Sequence, residues 1–582
     1  LVRTVYLPGS RTTRFAAKKN FMDHTPSPTS GAPSFSAPSR RSFVPAAIAG
    51  CLLLTALSVY FRCQNLENIP GFNGDEAWYG VQAVQLLRGG GFDANTPTGN
   101  LLNPFFLGPL VLLHAVFPPS FALLRSVAVA GGIAALLLNW FLCRKIFDRP
   151  TAWISTTLLA ILPINIAYSR FAWDASQSVA ATLPVWYCAL AAIRFPQRFR
   201  QWMVAALLAQ IVAFLVHPTN IFTVAVLVTA AVFHQRGAKF RESLERLREN
   251  RRWRIGILAA GILLAGGIFW LSRTPLPRAL WRRITGVHKL ELPEGTPPLS
   301  VLYPRLFTGG TIYRYLAGSH SWFEWPLAEE GEGFELDVAA FWIVLAAAAA
   351  ILLCTGTNER RPEQRALVAA WALTCAGFWL LAGSRALIPE LERYALCLIA
   401  PIVLMFSRAA ALAFTRDTYA ARIATLLALV FGGAMLADFH THYFRFIEQT
   451  GGRAHRTFRT GPVEPKAAAL AYIQDHRPRR ETTAPGKTRI ITSQWWLLYP
   501  LRYLAAGDDT LVVLGDKEAE QQSVAIGQGA RHGTVWYVEF SRSPPLKKRM
   551  AEWSSAEVER HEIKDFSNRP IITLLHPLPK SP

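Results

Sequence analysis

The sequence predicts an all-α polytopic membrane protein carrying a small C-terminal extracytoplasmic α/β domain, on three observations. Apolar residues make up 51% of the 582 and charged residues only 17%, against about a quarter charged in soluble domains. The apolar residues gather in nearly uncharged runs, long enough to meet the ~20 residues that a helix needs to cross the hydrocarbon layer. Beyond residue 440 the pattern changes to short alternating helix-like and strand-like segments. A soluble globular fold is excluded.

Residues 1–42 are rich in Ser, Pro, Arg and Lys, as in Pro26-Ser-Pro-Thr-Ser-Gly-Ala-Pro33, and read as a disordered cytoplasmic tail. The chain opens on Leu1, which fits a non-ATG start or a fragment. The run 43–61 reads as a retained first helix, because no small-x-small cleavage site follows it. Further spans are expected at 121–142, 151–168, 176–193, 201–217, 219–233, 255–271, 338–354, 366–382, 394–411 and 423–438, about eleven in all. The apolar stretch Leu101–Phe117 contains Pro104 and Pro109 and ends at Pro118-Pro119; it reads as a helix lying at the outer interface.

Orientation follows from the short loops. Those at 143–149, 194–200, 234–254, 360–365 and 416–422 are basic and fall on one side together with the N-terminal tail, which makes that side cytoplasmic. The net charge of +22 therefore reflects the positive-inside rule, and no nucleic-acid partner is expected. The transmembrane domain spans 43–440, with external loops at 62–120 and 272–337. The extracytoplasmic domain is 441–582, and its part 463–582 is long enough to fold alone. There, 466–476, 495–504 and 517–526 read as helices, and 489–492, 510–514 and 534–539 as strands. The seven cysteines form no disulfide framework, CxxC or zinc spacing, and no transporter-like internal repeat is present.

Two segments could carry chemistry. Gly74-Asp75-Glu76-Ala77-Trp78-Tyr79-Gly80 opens a helical stretch that ends at Gly89-Gly90-Gly91; adjacent acids there also suit the helix dipole. Tyr168-Ser-Arg170-Phe-Ala-Trp-Asp174 follows a span, where Tyr, Trp and Arg also form ordinary interfacial belts. Topology brings both acids to the outer face, which also receives His217-Pro-Thr-Asn220 and Glu390-Leu-Glu-Arg393-Tyr394. His217 also reads as a hydrogen-bonded helix-end histidine, and Arg393 as a snorkelling anchor. Carboxylates and cations beside the lipid suit an anionic lipid-linked substrate. No acids sit at mid-membrane, where an ion pathway would need them.

These motifs resemble the GT-C membrane glycosyltransferases, nearest the protein O-mannosyltransferase and bacterial aminoarabinose-transferase group. The Asp75-Glu76 pair is similar to that group's acidic pair in the first external loop, and Asp174 to its second external acid. Glu392-Arg393-Tyr394, opening a span that contains Pro401, is similar to its Arg-Tyr-plus-proline signature. The resemblance covers roughly 43–440. Ser493-Gln-Trp-Trp-Leu497 departs from the Trp-Trp-Asp of oligosaccharyltransferases, which argues against en bloc transfer to asparagine. The α/β domain is unlike the β-rich domain of eukaryotic mannosyltransferases, so its role is left as acceptor selection or scaffold.

The resemblance implies inverting transfer of one sugar from a polyprenyl-phosphate carrier to a lipid, glycan or protein acceptor, at the outer face of a bacterial inner membrane. Asp75 is expected as base, with Glu76 and Asp174 shaping the site or holding an optional divalent metal; no cofactor is required. Tyr79, Arg170, His217, Arg385, Arg393 and Tyr394 are the expected substrate-binding residues, and Arg273, Arg278, Arg282 and Arg283 are further phosphate candidates. The alternatives are a flippase of lipid-linked saccharides, which would need a polar mid-membrane path, and a non-catalytic scaffold, which would leave the external acids replaceable.

Overall fold

The computed structural model describes residues 40–97, 100–234, 298–310, 312–313, 338–358, 361–382, 391–414, 419–450, 464–477, 487–531, 534–552, 557–564 and 568–578. Among these, eight helices are long and apolar enough to cross a bilayer, from Val44–Cys63 to Tyr419–Gln449. The expected span 255–271, the loop arginines Arg273, Arg278, Arg282 and Arg283, and Arg385 all lie outside the described residues.

The first helices are α1 (Arg40–Cys63), α2 (Gly74–Leu87), α3 (Pro104–His114), α4 (Phe121–Ile146), α5 (Arg149–Ile161), α6 (Pro163–Tyr168), α7 (Ser178–Arg194) and α8 (Phe199–Val216). Ser120 caps α4 by accepting from Leu123 N at 3.1 Å, and Asp148 caps α5 by accepting from Thr151 N at 2.9 Å. Such caps satisfy amide groups that have no partner within the helix.

Two expected spans differ in shape. The segment 151–168 is not one continuous helix: α5 stops at Leu162, whose ψ of 119° is extended. Pro163 causes the break, because its ring disfavours a helical conformation in the residue before it. Asn165 Nδ2 then donates to the Leu159 carbonyl at 2.8 Å. The final span runs well past 438, because the helix continues through a π-helical segment, His440–Arg445, to Thr450. The helix expected within 101–117 is α3. It buries Phe106 and Leu110 and leaves Leu112 exposed.

The C-terminal domain is a five-stranded sheet of order β2-β1-β3-β5-β4. β1 (Thr488–Thr492), β2 (Leu511–Gly515) and β3 (Val535–Phe540) are parallel. β4 (Val558–Lys564) and β5 (Pro570–Pro577) extend it antiparallel; neither strand was predicted from the sequence pattern. Ile490, Val513, Trp536, Val538 and Leu574 form its core with Leu497 and Leu501.

The helix Trp495–Leu504 packs on the sheet and on α2. A Cβ on Gly80 would sit 2.4 Å from the Tyr503 ring, and one on Gly74 would sit 3.0 Å from the Trp495 carbonyl oxygen. A side chain at Gly80 would force the Tyr503 ring to move, and one at Gly74 would press tightly on the Trp495 backbone. Tyr503 Oη donates to the Ser120 carbonyl at 2.9 Å and accepts from Ser120 N at 3.2 Å. The domain has its own core and also backs α2.

Candidate active site

Helix α2 begins where Asn73 accepts from Asp75 N at 2.9 Å and Glu76 Oε2 accepts from Asn73 N at 3.1 Å. This reciprocal pair is a capping box, and it fixes the directions of the two acids. Glu76 points inward, where Arg125 of α4 donates Nε and Nη2 to its two oxygens, each at 2.9 Å. Both side chains are fully buried. Ala172 N also donates to Glu76 Oε1 at 2.9 Å. Arg125 spends its remaining donors on the carbonyls of Leu66, Pro70 and Gly71. Glu76 therefore ties the start of α2 to the segment that carries Asp174, and it does not line the pocket.

Asp75 faces the opposite way. Its Oδ2 accepts from Arg393 Nη1 at 3.2 Å, with Asp75 20% and Arg393 13% exposed. Asp174 opens a 3₁₀ turn (Asp174–Gln177) and accepts from Ala175 N through Oδ1 at 2.8 Å. Its backbone carbonyl accepts from Asn103 Nδ2 at 3.3 Å. These three charged side chains line one pocket with an empty volume of ≈ 320 Å³. Trp78, Tyr79 and Trp173 add aromatic walls, and Thr96 and Asn100 add polar ones. Arg393 lies over the Trp173 ring, 4.7 Å from its centroid. Burial, together with the charges of Asp174 and Asp75, holds the Tyr79 hydroxyl well above the usual tyrosine range, so it stays protonated. It accepts from Asn103 N at 3.2 Å.

The structure thus brings Asp75, Asp174, Tyr79 and Arg393 together. It does not bring the other described candidates into the pocket lining. Arg170 is buried and donates to the carbonyls of Phe61, Gln64 and Ile69, where it ties α1 and its loop to the bundle. His217 is buried, with Nδ1 2.6 Å from Thr219 Oγ1. Its ring lies 5.4 Å from that of Tyr394, which itself lies beneath Arg393. Sequence reasoning singled out neither tryptophan, although Trp78 and Trp173 each stand beside an acid it had chosen. Arg125, Thr96 and Asn100 carried no readable signal.

Residues 106–249 match the model of the dolichyl-phosphate-mannose-protein mannosyltransferase family. The chain is similar to that family. The match takes in Arg125 and Asp174 but not Asp75. No curated protein matches the chain. Among solved structures, the Archaeoglobus fulgidus oligosaccharyltransferase in its apo form is 16% identical, over 85% of this chain and 69% of that one, with a TM-score of 0.45. ArnT from Cupriavidus metallidurans bound to undecaprenyl phosphate is 14% identical, over 94% of this chain and 100% of that one, with a TM-score of 0.44. The protein is a multi-pass membrane protein with a helical body and a small C-terminal sheet domain.

Among the described residues no three His, Cys, Asp or Glu side chains gather into a metal site. Two carboxylates reach the pocket, and Arg393 is already paired with one of them, Asp75. Two carboxylates, one of them bound to a guanidinium, are a poor ligand set for a divalent cation.

Proposed function

We propose that the protein is a glycosyltransferase that moves one sugar from a polyprenyl-phosphate carrier to an acceptor hydroxyl at the extracytoplasmic face. The N-terminus is then cytoplasmic, in a bacterial inner membrane. The observation that carries this reading is the shared pocket of Asp75, Asp174 and Arg393, walled by Trp78, Tyr79 and Trp173. Phosphate is already a good leaving group, so the reaction needs no general acid. It needs a base for the acceptor and a cation for the departing charge.

In this reading Asp75 takes the acceptor hydroxyl proton as the acceptor oxygen bonds to the anomeric carbon. The bond from that carbon to the phosphate oxygen breaks, and its electron pair leaves on the phosphate. Arg393 stabilises the charge that develops there. In-line displacement inverts the anomeric centre. Asp174 holds Arg393 within reach of both reactants and offsets its charge in the resting site. The aromatic walls offer apolar surface to a sugar ring. No step passes through a metal.

The test is sugar release from a polyprenyl-phosphate donor by the purified protein in detergent, with product stereochemistry read by NMR. A wild-type protein that cleaves no donor, across the common hexoses and pentoses, would remove this reading.

A further inference from the structure

The parallel part of the small sheet has the order β2-β1-β3, so the β1–β2 connection runs toward one edge and the β2–β3 connection runs back past β1 toward the other. Trp495–Leu504, between β1 and β2, packs on the face that carries Ile490, Val513 and Trp536. The helices between β2 and β3 bring Ile526 to the other face, onto Ile491, Leu514 and Val535. The carboxyl ends of β1 and β3 are therefore a topological switch point, the place where open α/β sheets take their ligands.

A built polar cluster stands there. Ser493, just past β1, donates its N and Oγ to Glu539 Oε1 of β3 at 2.9 and 2.6 Å. Arg549 donates Nε to the same oxygen at 3.2 Å and Nη2 to Ser493 Oγ at 3.0 Å. Arg549 also pairs with Asp516, which follows β2. Glu539 is fully buried, yet its Oε2 has no hydrogen-bond partner among the described residues. Gln494 is 7% exposed, and its Oε1 is equally without one. Buried polar atoms of this kind are uncommon, because leaving them unsatisfied is costly. Both open atoms are acceptors, so a ligand must bring donors. Arg549 disfavours a cationic ligand, while Glu539 and Asp516 disfavour an anionic one. Neutral hydroxyl groups fit.

The cluster is also next in the chain to a contact with the start of α2. Gln494 precedes Trp495, whose carbonyl oxygen would lie 3.0 Å from a Cβ on Gly74, and Gly74 precedes Asp75. We propose that the cluster of Ser493, Gln494, Glu539 and Arg549 at the carboxyl ends of β1 and β3 binds the hydroxyl groups of a neutral saccharide, and that this saccharide is part of the acceptor. Its use as an acceptor subsite rests on the transferase reading above; the binding itself does not.

The full-length protein in detergent is titrated with neutral trisaccharides of glucose, mannose, galactose and N-acetylglucosamine, and with glucosamine and glucuronate as charged counterparts. Saturation-transfer NMR and tryptophan fluorescence report binding. At least one neutral saccharide binds saturably, and Glu539→Gln or Arg549→Met weakens it about tenfold, the loss expected when a charged hydrogen-bonding partner is removed. Where thermal melts show that these variants do not fold, Gln494→Leu, which removes one open acceptor at similar volume, is read for the same weakening. Three results each overturn the proposal: no neutral saccharide binding the wild type, unchanged affinity in the folded variants, or equal binding of the charged sugars. Donor cleavage with water as acceptor reads the transferase separately, so loss of one proposal is distinguishable from loss of the other.

Discussion

At one end of the helical bundle Arg408 pairs with Asp148, and Arg194 of α7 with Glu363 at 2.7 Å. At the other end Arg125 pairs with Glu76 and Arg393 with Asp75. Helix α7 joins the two ends, with Asp174 just before its start and Arg194 at its finish. The pairs Arg408–Asp148 and Arg125–Glu76 do the same work. Each carboxylate caps a helix, Asp148 for α5 and Glu76 for α2, while a fully buried arginine from another helix neutralises it. Arg393–Asp75 differs from both. It keeps some solvent access, and a second acid, Asp174, shares its one cation within a pocket. An arginine–carboxylate pair by itself therefore does not single out the proposed site; an excess of carboxylate facing a solvent-reachable cavity is what sets it apart.

That contrast can be broken by substitution, and the largest effect is expected at the structural pair. Arg125→Leu leaves Glu76 buried without its counter-ion and should cost about 3–5 kcal/mol, seen as a collapse of folded yield and melting temperature in detergent. A melt within a degree of wild type would show that the pair is not what anchors the loop. Asp75→Asn should do the reverse, with an unchanged melt and sugar release lower by ~10²-fold or more. Asp148→Asn at the opposite end sharpens the comparison, since it should lower the melt while the protein that survives keeps its specific activity. Full release by Asp75→Asn would end its assignment as base.

A smaller effect probes the contact between α2 and the C-terminal domain. Gly80→Val places side-chain atoms where the Tyr503 ring now lies, an overpacking that should cost ~1–3 kcal/mol and also lower sugar release, because α2 carries Asp75. Retained stability with retained release would show that the domain does not hold the helix in place.

The smallest effect is a pH response in the domain itself. Burial tends to raise the Asp508 carboxyl, but hydrogen bonds from Thr510 and the nearby Arg477 outweigh it and hold the group below the usual carboxylate range. A lowered carboxylate binds fewer protons folded than unfolded, so its stabilisation is fully present above the ordinary aspartate value of ~3.9 and fades as pH falls through the lowered value. Asp508→Asn should flatten the acid limb of the melting curve; an unchanged limb would place the acid sensitivity elsewhere.

Much of this was readable in the sequence, for reasons that differ by residue. Asp75 and Glu76 stood out because adjacent acids between apolar runs are rare, yet nothing local says which of them faces the pocket. The capping box settles that, since Glu76 at the third helical position must turn back to Asn73 and so meets Arg125. Arg170 attracted attention as a cation beside Asp174, but its donors go to three backbone carbonyls. The helices up to residue 531 and the first three strands of the sheet domain were visible through their alternation, whereas the helix Pro544–Glu552 was not. β4, with its charged Glu559, Arg560 and Glu562, hides that pattern because it is an edge strand with much of its surface exposed.

What the sequence determined by itself is set by short-range or solvent-averaged physics. Hydrophobic run length meets a bilayer of known thickness, and side-chain periodicity distinguishes helix from strand. The tertiary structure alone decided which of two neighbouring acids is spent on an arginine and which reaches a cavity. It also decided that a helix more than 400 residues further along the chain, Trp495–Leu504, presses against Gly74 and Gly80. Those outcomes depend on groups far apart in the chain meeting within hydrogen-bonding or van der Waals range. A side chain's charge is written in the sequence, but the partner that cancels it is chosen by packing.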